Sequence, residues 1–228
     1  MKKFSTLRYG VAALAMAGVM SPVAFAHDDH RHDHGDRVVQ TRDVETFTRI
    51  QVKGGIELDL TAGKDQMVEV DAHDDYIADI KTYVRGDTLV IDMDTDDRDD
   101  NISFHGHDVR VKITMKTLEE LEVLGAVDAD LHAIDSKELK IDIKGAADLD
   151  IEGTCGSLEL ELKGAGDVDA EDLKCENVEV AVKGVGEAVV FASKSVDADV
   201  SGIGSITVYG EPSRVRQSDG FLGSIRIK

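Results

Sequence analysis

The sequence predicts an all-β fold, a parallel β-helix or β-solenoid with coils of about 19 residues, preceded by an irregular β part on its N-terminal side. Three observations predict it. A phrase of the type Gly-Ala-Gly-Asp recurs every 18 to 20 residues, an alternating strand pattern precedes each copy, and no stretch combines a helix cap with sustained helical spacing. One such unit cannot bury its apolar face alone, so the units are expected to stack.

The repeated phrase marks one corner of each coil. Its copies begin at Gly125, Gly145, Gly164, Gly184 and Gly202. Glycine suits a corner because it tolerates positive φ and lets neighbouring backbone approach closely. The strand before each corner alternates with period two, so one of its faces is buried and the other is solvated.

Stacking makes a specific prediction about neighbours. In a solenoid each strand pairs in parallel with its equivalent one rung away, so Leu160 is expected beside Ile141 and Val180. An antiparallel sandwich built from hairpins is the alternative. Hairpin turns would not explain why the same side chains return at the same phase of every unit.

Three segments are predicted: a signal peptide at residues 1–26, a His- and Asp-rich disordered linker at 27–42, and the solenoid domain at 43–228. A basic start, an apolar run at 11–19 and a small-x-small cleavage site at 24–26 indicate the signal peptide. The product is expected to be periplasmic or secreted, with no transmembrane segment after cleavage.

The composition restricts the partners. The chain carries 46 acidic against 26 basic side chains, a formal net charge of −20 at pH 7. So acidic a protein repels nucleic acid and anionic lipid, and neither is expected as a partner. A cell-envelope protein or polysaccharide is the expected partner, and no cofactor is required.

The segment after the cleavage site is rich in histidine. Its imidazoles belong to His27, His30, His32 and His34. Imidazoles and carboxylates at this density can bind Zn²⁺, Cu²⁺ or Ni²⁺, so the segment is a candidate metal site. A polar linker with no metal is the alternative.

The two cysteines stand at the same phase of adjacent units. Cys155 and Cys175 each precede the next corner glycine by nine residues. Adjacent rungs place equivalent Cα atoms about 5 Å apart, within the range of a disulfide. In an exported protein we therefore predict a bond, the alternative being two stacked thiols.

The corner acids also recur in phase, and stacking would align them in two rows about 5 Å apart from rung to rung. Carboxylates at that spacing repel each other and either raise some pKa values or recruit a cation such as Ca²⁺. The alternative is that Asp simply suits these turns. The first row comprises Asp128, Asp148, Asp167 and Glu187, and the second comprises Asp130, Asp150 and Asp169.

Several phrases occur in one order along residues 43–228, and together they resemble the putative autotransporter adhesin head family, also called the GIN domain. The resemblance implies an exported β-helical domain of largely unknown role, with adhesion suggested by the family's name, and it carries no catalytic residues over. The phrases are Phe47-x-x-Ile50-x-Val52-x-Gly54-Gly55-Ile56, Gly86-x-x-Leu89-x-Ile91, the Gly-Ala-Gly-Asp corners, Gly202-Ile-Gly-Ser205-Ile and Tyr209-Gly210-x-Pro212.

Three functions compete. The first is an exported, non-catalytic binding or adhesion module for a cell-envelope polymer or protein. The second is a periplasmic metal-binding protein that uses the His-rich segment. The third is a carbohydrate-active enzyme, because β-helices can present catalytic carboxylates. The acids recur as uniform rows and not as one distinctive cluster, which favours the first and predicts that the protein is not an enzyme.

Overall fold

The computed structural model describes residues 36–93 and 109–228, and these residues contain strands and no helix. The strands are β1 (Arg37–Thr41), β2 (Arg49–Lys53), β3 (Gly55–Thr61), β4 (Met67–His73), β5 (Lys81–Arg85), β6 (Thr88–Asp92), β7 (Arg110–Thr114), β8 (Glu120–Val123), β9 (Ala126–Ile143), β10 (Ala146–Leu162), β11 (Ala165–Val182), β12 (Val185–Val200), β13 (Ile203–Tyr209), β14 (Arg214–Asp219) and β15 (Gly223–Ile227). No helix in the described part is long and apolar enough to cross a membrane.

Each long strand forms two sides of one coil. Residues 126–131 of β9 lie on a first face, where β3, β9, β10, β11, β12, β13 and β15 follow one another in parallel. Residues 138–143 lie on a second face, where the parallel order is β6, β2, β8, β9, β10, β11, β12 and β14. The result is a β-solenoid of about five turns, which confirms the predicted fold class.

The register settles the choice between solenoid and sandwich. Leu160 pairs with Ile141 on one side and with Val180 on the other, as stacking requires. All three side chains are buried. The hairpin sandwich is therefore wrong for the repeat, and the columns of equivalent residues exist.

The N-terminal part is irregular, as expected, because parallel and antiparallel pairing are mixed in it. β2 and β3 join the parallel faces, and β7 pairs in parallel with β3. In contrast, β4 pairs antiparallel with both β1 and β7, and β5 pairs antiparallel with β6. The antiparallel strands cover this end of the stack.

The first strand corrects the predicted end of the linker. β1 lies within the segment 27–42 that the composition assigned to disorder, yet its residue Arg37 is in register with His73 of β4. Val38 packs against the core, and the guanidinium of Arg37 lies 3.1 Å from the carboxylate of Asp71. Backbone pairing with β4 holds these residues in place, and amino-acid composition alone does not reveal such pairing.

The corner glycines are required by close backbone approach. An ideal Cβ on Gly145 would lie 1.8 Å from the carbonyl oxygen of Gly125. That oxygen accepts a hydrogen bond from the amide of Ala146 at 2.8 Å, so a side chain at the corner would separate the rungs. Positive φ matters at a second column, where Gly166 and Gly186 have φ of 137° and 155°.

Cys155 and Cys175 are in register on β10 and β11, and they form a disulfide as predicted. Their Cα atoms are 4.5 Å apart and both residues are buried. The bond links two neighbouring rungs where the chain bends from the first face to the second.

Candidate binding surface

An open groove runs along the second face and the bend that precedes it. Its volume is about 2010 Å³, and residues of six successive rungs line it. The rungs are roughly 4.8 Å apart, so six equivalent positions span about 24 Å. One column of its lining, from the N-terminal to the C-terminal side, is Glu120, Lys140, Glu159, Glu179, Asp197 and Arg216.

This column is acidic in the middle and basic near its ends. Lys140 lies 3.1 Å from the carboxylate of Glu159, and the hydrogen bond to Glu159 raises the pKa of Lys140. Arg216 lies 3.6 Å from the carboxylate of Asp197. Glu179 stands between Glu159 and Asp197 and has no ion-pair partner among the described residues. The groove therefore offers a free carboxylate at its centre.

Polar side chains form a second column beside the first. The side-chain amide of Asn177 donates to the carbonyl oxygen of Gly156 at 3.3 Å, and Ser195 donates to the amide oxygen of Asn177 at 2.7 Å. Each bond links one rung to the next, so the groove floor is held rigidly. Rigid polar groups bind a ligand at low entropic cost. The column contains Glu138, Ser157, Asn177, Ser195 and Arg214.

The predicted acidic rows are aligned on the first face, and the structure extends them by one rung. Asp128 is in register with Glu57, and Asp130 is in register with Asp59. The phrase Lys53-Gly54-Gly55, which echoes the later corners, is the sequence signal that could have located these two acids. The aligned acids are Glu57, Asp128, Asp148, Asp167 and Glu187 in one row, and Asp59, Asp130, Asp150 and Asp169 in the other.

Repulsion within the rows shows at Asp150. Partial burial, followed by the charges of Asp169 and Asp130, raises the pKa of Asp150. Asp169 also acts as a turn acceptor, because the amide of Glu171 donates to its carboxylate oxygen at 3.0 Å. Between rungs, the amide of Asp167 donates to a carboxylate oxygen of Asp148 at 3.3 Å. The amide of Glu187 donates to Asp167 in the same way at 2.9 Å. Both readings of the rows therefore have a physical basis.

Metal sites remain predictions. In residues 36–93 and 109–228, no group of three or more His, Cys, Asp or Glu side chains is arranged to hold a metal ion. The four histidines His27, His30, His32 and His34 lie outside the described residues. Calcium on the acidic rows is likewise an expectation that a measurement must decide.

An ion-pair ladder follows the corner between the two faces. Lys144 pairs with Glu122 and lies 3.0 Å from Asp142. Lys163 lies 3.2 Å from Asp142 and 2.5 Å from Glu161. Hydrogen bonds from Lys163 and Lys183 lower the pKa of Glu161. These lysines neutralise acids of the second face and not the corner rows.

Comparison with known proteins places this architecture in a family. The family described as putative auto-transporter adhesin, head GIN domain, matches residues 46–212. The chain belongs to this family. The match covers the irregular strands and the repeated coils, and it confirms the resemblance inferred from the sequence. No curated protein matches the chain.

Two solved structures resemble the GIN domain described here. A putative adhesin from Bacteroides fragilis is 24% identical with a TM-score of 0.68, and the match covers 85% of this chain and 97% of that one. A putative adhesin from Parabacteroides merdae is 16% identical with a TM-score of 0.49 and the same coverage. The first likeness shows the fold. Both proteins are named for adhesion-type binding.

Proposed function

We propose that this GIN domain is an exported, non-catalytic binding module that holds an extended cell-envelope polymer, a polysaccharide or a protein segment, in the groove of its second face. The observation that carries the proposal is the repetition of the groove lining from rung to rung. A ligand with a repeating backbone can meet equivalent side chains along the whole groove. Small-molecule sites are more enclosed and more apolar.

The groove chemistry supports a polar ligand. Hydroxyl and amide groups at Ser157, Asn177 and Ser195 lie beside carboxylates, and the free carboxylate of Glu179 can accept hydrogen bonds from hydroxyl or amide donors. The bonds between Ser195, Asn177 and Gly156 keep the floor in place when the groove is empty. Affinity then comes from many weak contacts along the six rungs of the groove.

Export is part of the proposal. The predicted signal peptide at residues 1–26 routes the chain out of the cytoplasm, and the disulfide between Cys155 and Cys175 suits an oxidising compartment. The family and the Bacteroides fragilis neighbour are named as putative adhesins, which fits a protein of the periplasm or the cell exterior.

Binding and turnover can be separated in one experiment. Residues 27–228 are applied to arrays of cell-envelope glycans and to purified envelope polymers, and reducing-end release is measured in parallel. We expect binding without release. Release of reducing ends would replace the proposal with a carbohydrate-active enzyme.

A groove variant assigns the binding to this surface. Ser157→Trp places a bulky ring in the groove and is expected to weaken binding at least tenfold, since it blocks several rungs. Glu152→Trp, an exposed position that does not line the groove, is the matched control and should bind like the parent. Equal binding by both variants would place the ligand elsewhere.

A further inference from the structure

The C-terminal end of the solenoid carries an exposed apolar turn between β14 and β15. The amide of Gly223 donates to the carbonyl oxygen of Gly220 at 3.0 Å, so Phe221 and Leu222 occupy the central positions of a tight turn. Phe221 is 100% exposed and Leu222 is 58% exposed. Large apolar side chains at the tip of a turn are costly in water unless they meet a partner.

The turn ends a column of exposed apolar side chains. Val185 and Ile203 are in register, and they are 54% and 53% exposed. Leu222 holds the same position on the last rung, since Gly204 and Gly223, which follow Ile203 and Leu222, are in register. The apolar stripe therefore reaches the end of the stack and is widest there.

The same end is basic, although the whole chain has a net charge of −20. Neither Arg214 nor Arg226 has an ion-pair partner in the described part of the chain. Arg216 pairs with Asp197. Residues 213–228 contain four basic side chains, Arg214, Arg216, Arg226 and Lys228, and one acid, Asp219.

The acidic rows stop before this end. In register, the row that contains Asp169 continues as Val189, Thr207 and Arg226. The other row has its last acid at Glu187, two rungs before the end. Two rungs are roughly 10 Å, more than the Debye length of about 8 Å at physiological ionic strength. A negative surface that meets the end of the stack is therefore screened from both rows.

We infer that the C-terminal end docks on the surface of a lipid bilayer that contains anionic lipids. Phe221 and Leu222 enter the boundary between headgroups and acyl chains, and the arginines face the lipid phosphates. Only the turn enters, because β14 and β15 are sheet edges whose free backbone groups need water. Arg214 and Arg216 also line the last rung of the groove, so docking would occupy that rung and leave the other rungs of the groove open to solvent.

The net charge of the chain disfavoured anionic lipid, and the charge distribution reverses that expectation for one end only. A second copy could instead pair with the free edges of β14 and β15. Two copies that met by this end would bring like charges together, so the charges favour the anionic surface. Self-association is kept as an outcome of the test.

The absence of tryptophan from the chain permits a clean probe. Phe221→Trp in residues 27–228 places a single indole at the tip. With vesicles of phosphatidylglycerol and phosphatidylcholine we expect the fluorescence emission of this indole to shift to shorter wavelength, and added salt should reverse the shift. With phosphatidylcholine alone we expect a much smaller shift. Val39→Trp, at an exposed apolar position on β1, is the control and should not shift.

Paired variants test the contributions of the apolar turn and of the arginines to vesicle binding, by co-sedimentation with the same vesicles. Phe221→Ser with Leu222→Ser should lower partitioning at least tenfold, and Arg214→Gln with Arg226→Gln should lower it about fivefold for each arginine. Lys64→Gln with Lys81→Gln, two exposed lysines, should leave it unchanged. The altered residues are exposed, and an unchanged Tm checks that each variant is folded.

Three results would overturn the inference. The first is an absence of binding to anionic vesicles, and the second is binding that both the serine and the arginine variants retain. The third is concentration-dependent self-association in sedimentation velocity that Phe221→Ser with Leu222→Ser abolishes, without vesicle binding. That third result would assign the end to a second copy of this chain.

Discussion

At the scale of single residues, the corner glycines decide how closely the rungs can stack. An ideal Cβ on Gly164 would lie 1.7 Å from the carbonyl oxygen of Gly145. The same oxygen accepts the amide of Ala165 at 3.0 Å. A methyl group there must break this bond or push the rungs apart, and neither adjustment is local in a stack.

Gly164→Ala is therefore expected to lower the free energy of unfolding by about 4 kcal/mol or more, measured by urea denaturation. Gly63→Ala is the control, because its added Cβ meets nothing within 4 Å and costs only the strain of φ +77°, about 1 kcal/mol. Equal losses would show that close approach is not the reason for glycine at the corner.

Asp150 tests the repulsion within the acidic rows. Its raised pKa means that the folded state binds the proton more readily than the unfolded chain, so the ionised carboxylate destabilises the fold at neutral pH. Asp150→Asn should add about 0.5 kcal/mol at pH 7, a small gain because solvent screens an exposed group. The gain should vanish as the pH falls through the titration of this carboxyl toward 3.8.

The control for this charge effect is Glu138→Gln. Glu138 is in register with Ser157 and not with another carboxylate, so its neutralisation should leave the Tm nearly unchanged. A loss of stability in Asp150→Asn would mean that the carboxylate acts as a turn acceptor more than as a repelling charge.

At the scale of elements, the rungs are joined by side chains as well as by the backbone. Asp142 has a side chain only 11% exposed and lies between Lys144 and Lys163. Removal of either lysine leaves a partly buried charge with one partner fewer, which is costly. Each of these lysines directly precedes a corner glycine in the sequence, but its acidic partners are visible only in the structure.

Lys163→Gln should lower the free energy of unfolding at pH 7, because Asp142 and Glu161 each lose an ion-pair partner. The lowered pKa of Glu161 stabilises the fold above the ordinary value of 4.5, and this contribution is lost as the pH falls through the lowered value. The difference between parent and variant should therefore shrink in acid. Lys140→Gln, at a more exposed pair, should cost under about 0.5 kcal/mol, and an equal cost would contradict the role of burial.

The disulfide joins β10 to β11 within one stack. Cys155→Ala with Cys175→Ala should lower the free energy of unfolding by about 3 kcal/mol, because the bond closes a loop of 20 residues in the unfolded chain. Reduced parent protein should unfold at the same urea concentration as the variant. Two reactive thiols in unfolded, unreduced protein would rule the bond out.

At the scale of the whole molecule, charge is distributed along the solenoid axis. Most of the chain is acidic, whereas the last rung is basic and apolar. This polarity is the reason we propose different partners for the two surfaces: a polar polymer in the groove and an anionic surface at the end. Neither partner is evident from the net charge, which averages over both.

Calcium on the acidic rows is a prediction for the whole stack, since the rows span several rungs. If calcium binds to these rows, the Tm of the protein should be higher in millimolar calcium than in chelator. Sodium chloride at matched ionic strength is the control, because it screens the repulsion without a specific site. An equal Tm in calcium, chelator and matched salt would remove the prediction.

The sequence by itself determined the solenoid, the phase of its columns, the family and the cysteine pair. The reason is that a repeat at fixed spacing with period-two alternation specifies which residues become neighbours, as Leu160 and Ile141 show. A repeat of this kind can be recognised from the sequence without any knowledge of long-range contacts.

Only the tertiary structure decided which outward columns share a groove, which carboxylates the lysines meet, and that β1 extends the domain to Arg37. Alternation marks a residue as outward, but it does not show that the bend residues Thr154 and Lys174 line the same groove as Glu179. The pairing of β1 with β4 depends on an edge formed by residues far along the chain. These features arise where separate segments meet, and the physical cause is the three-dimensional path of the coil.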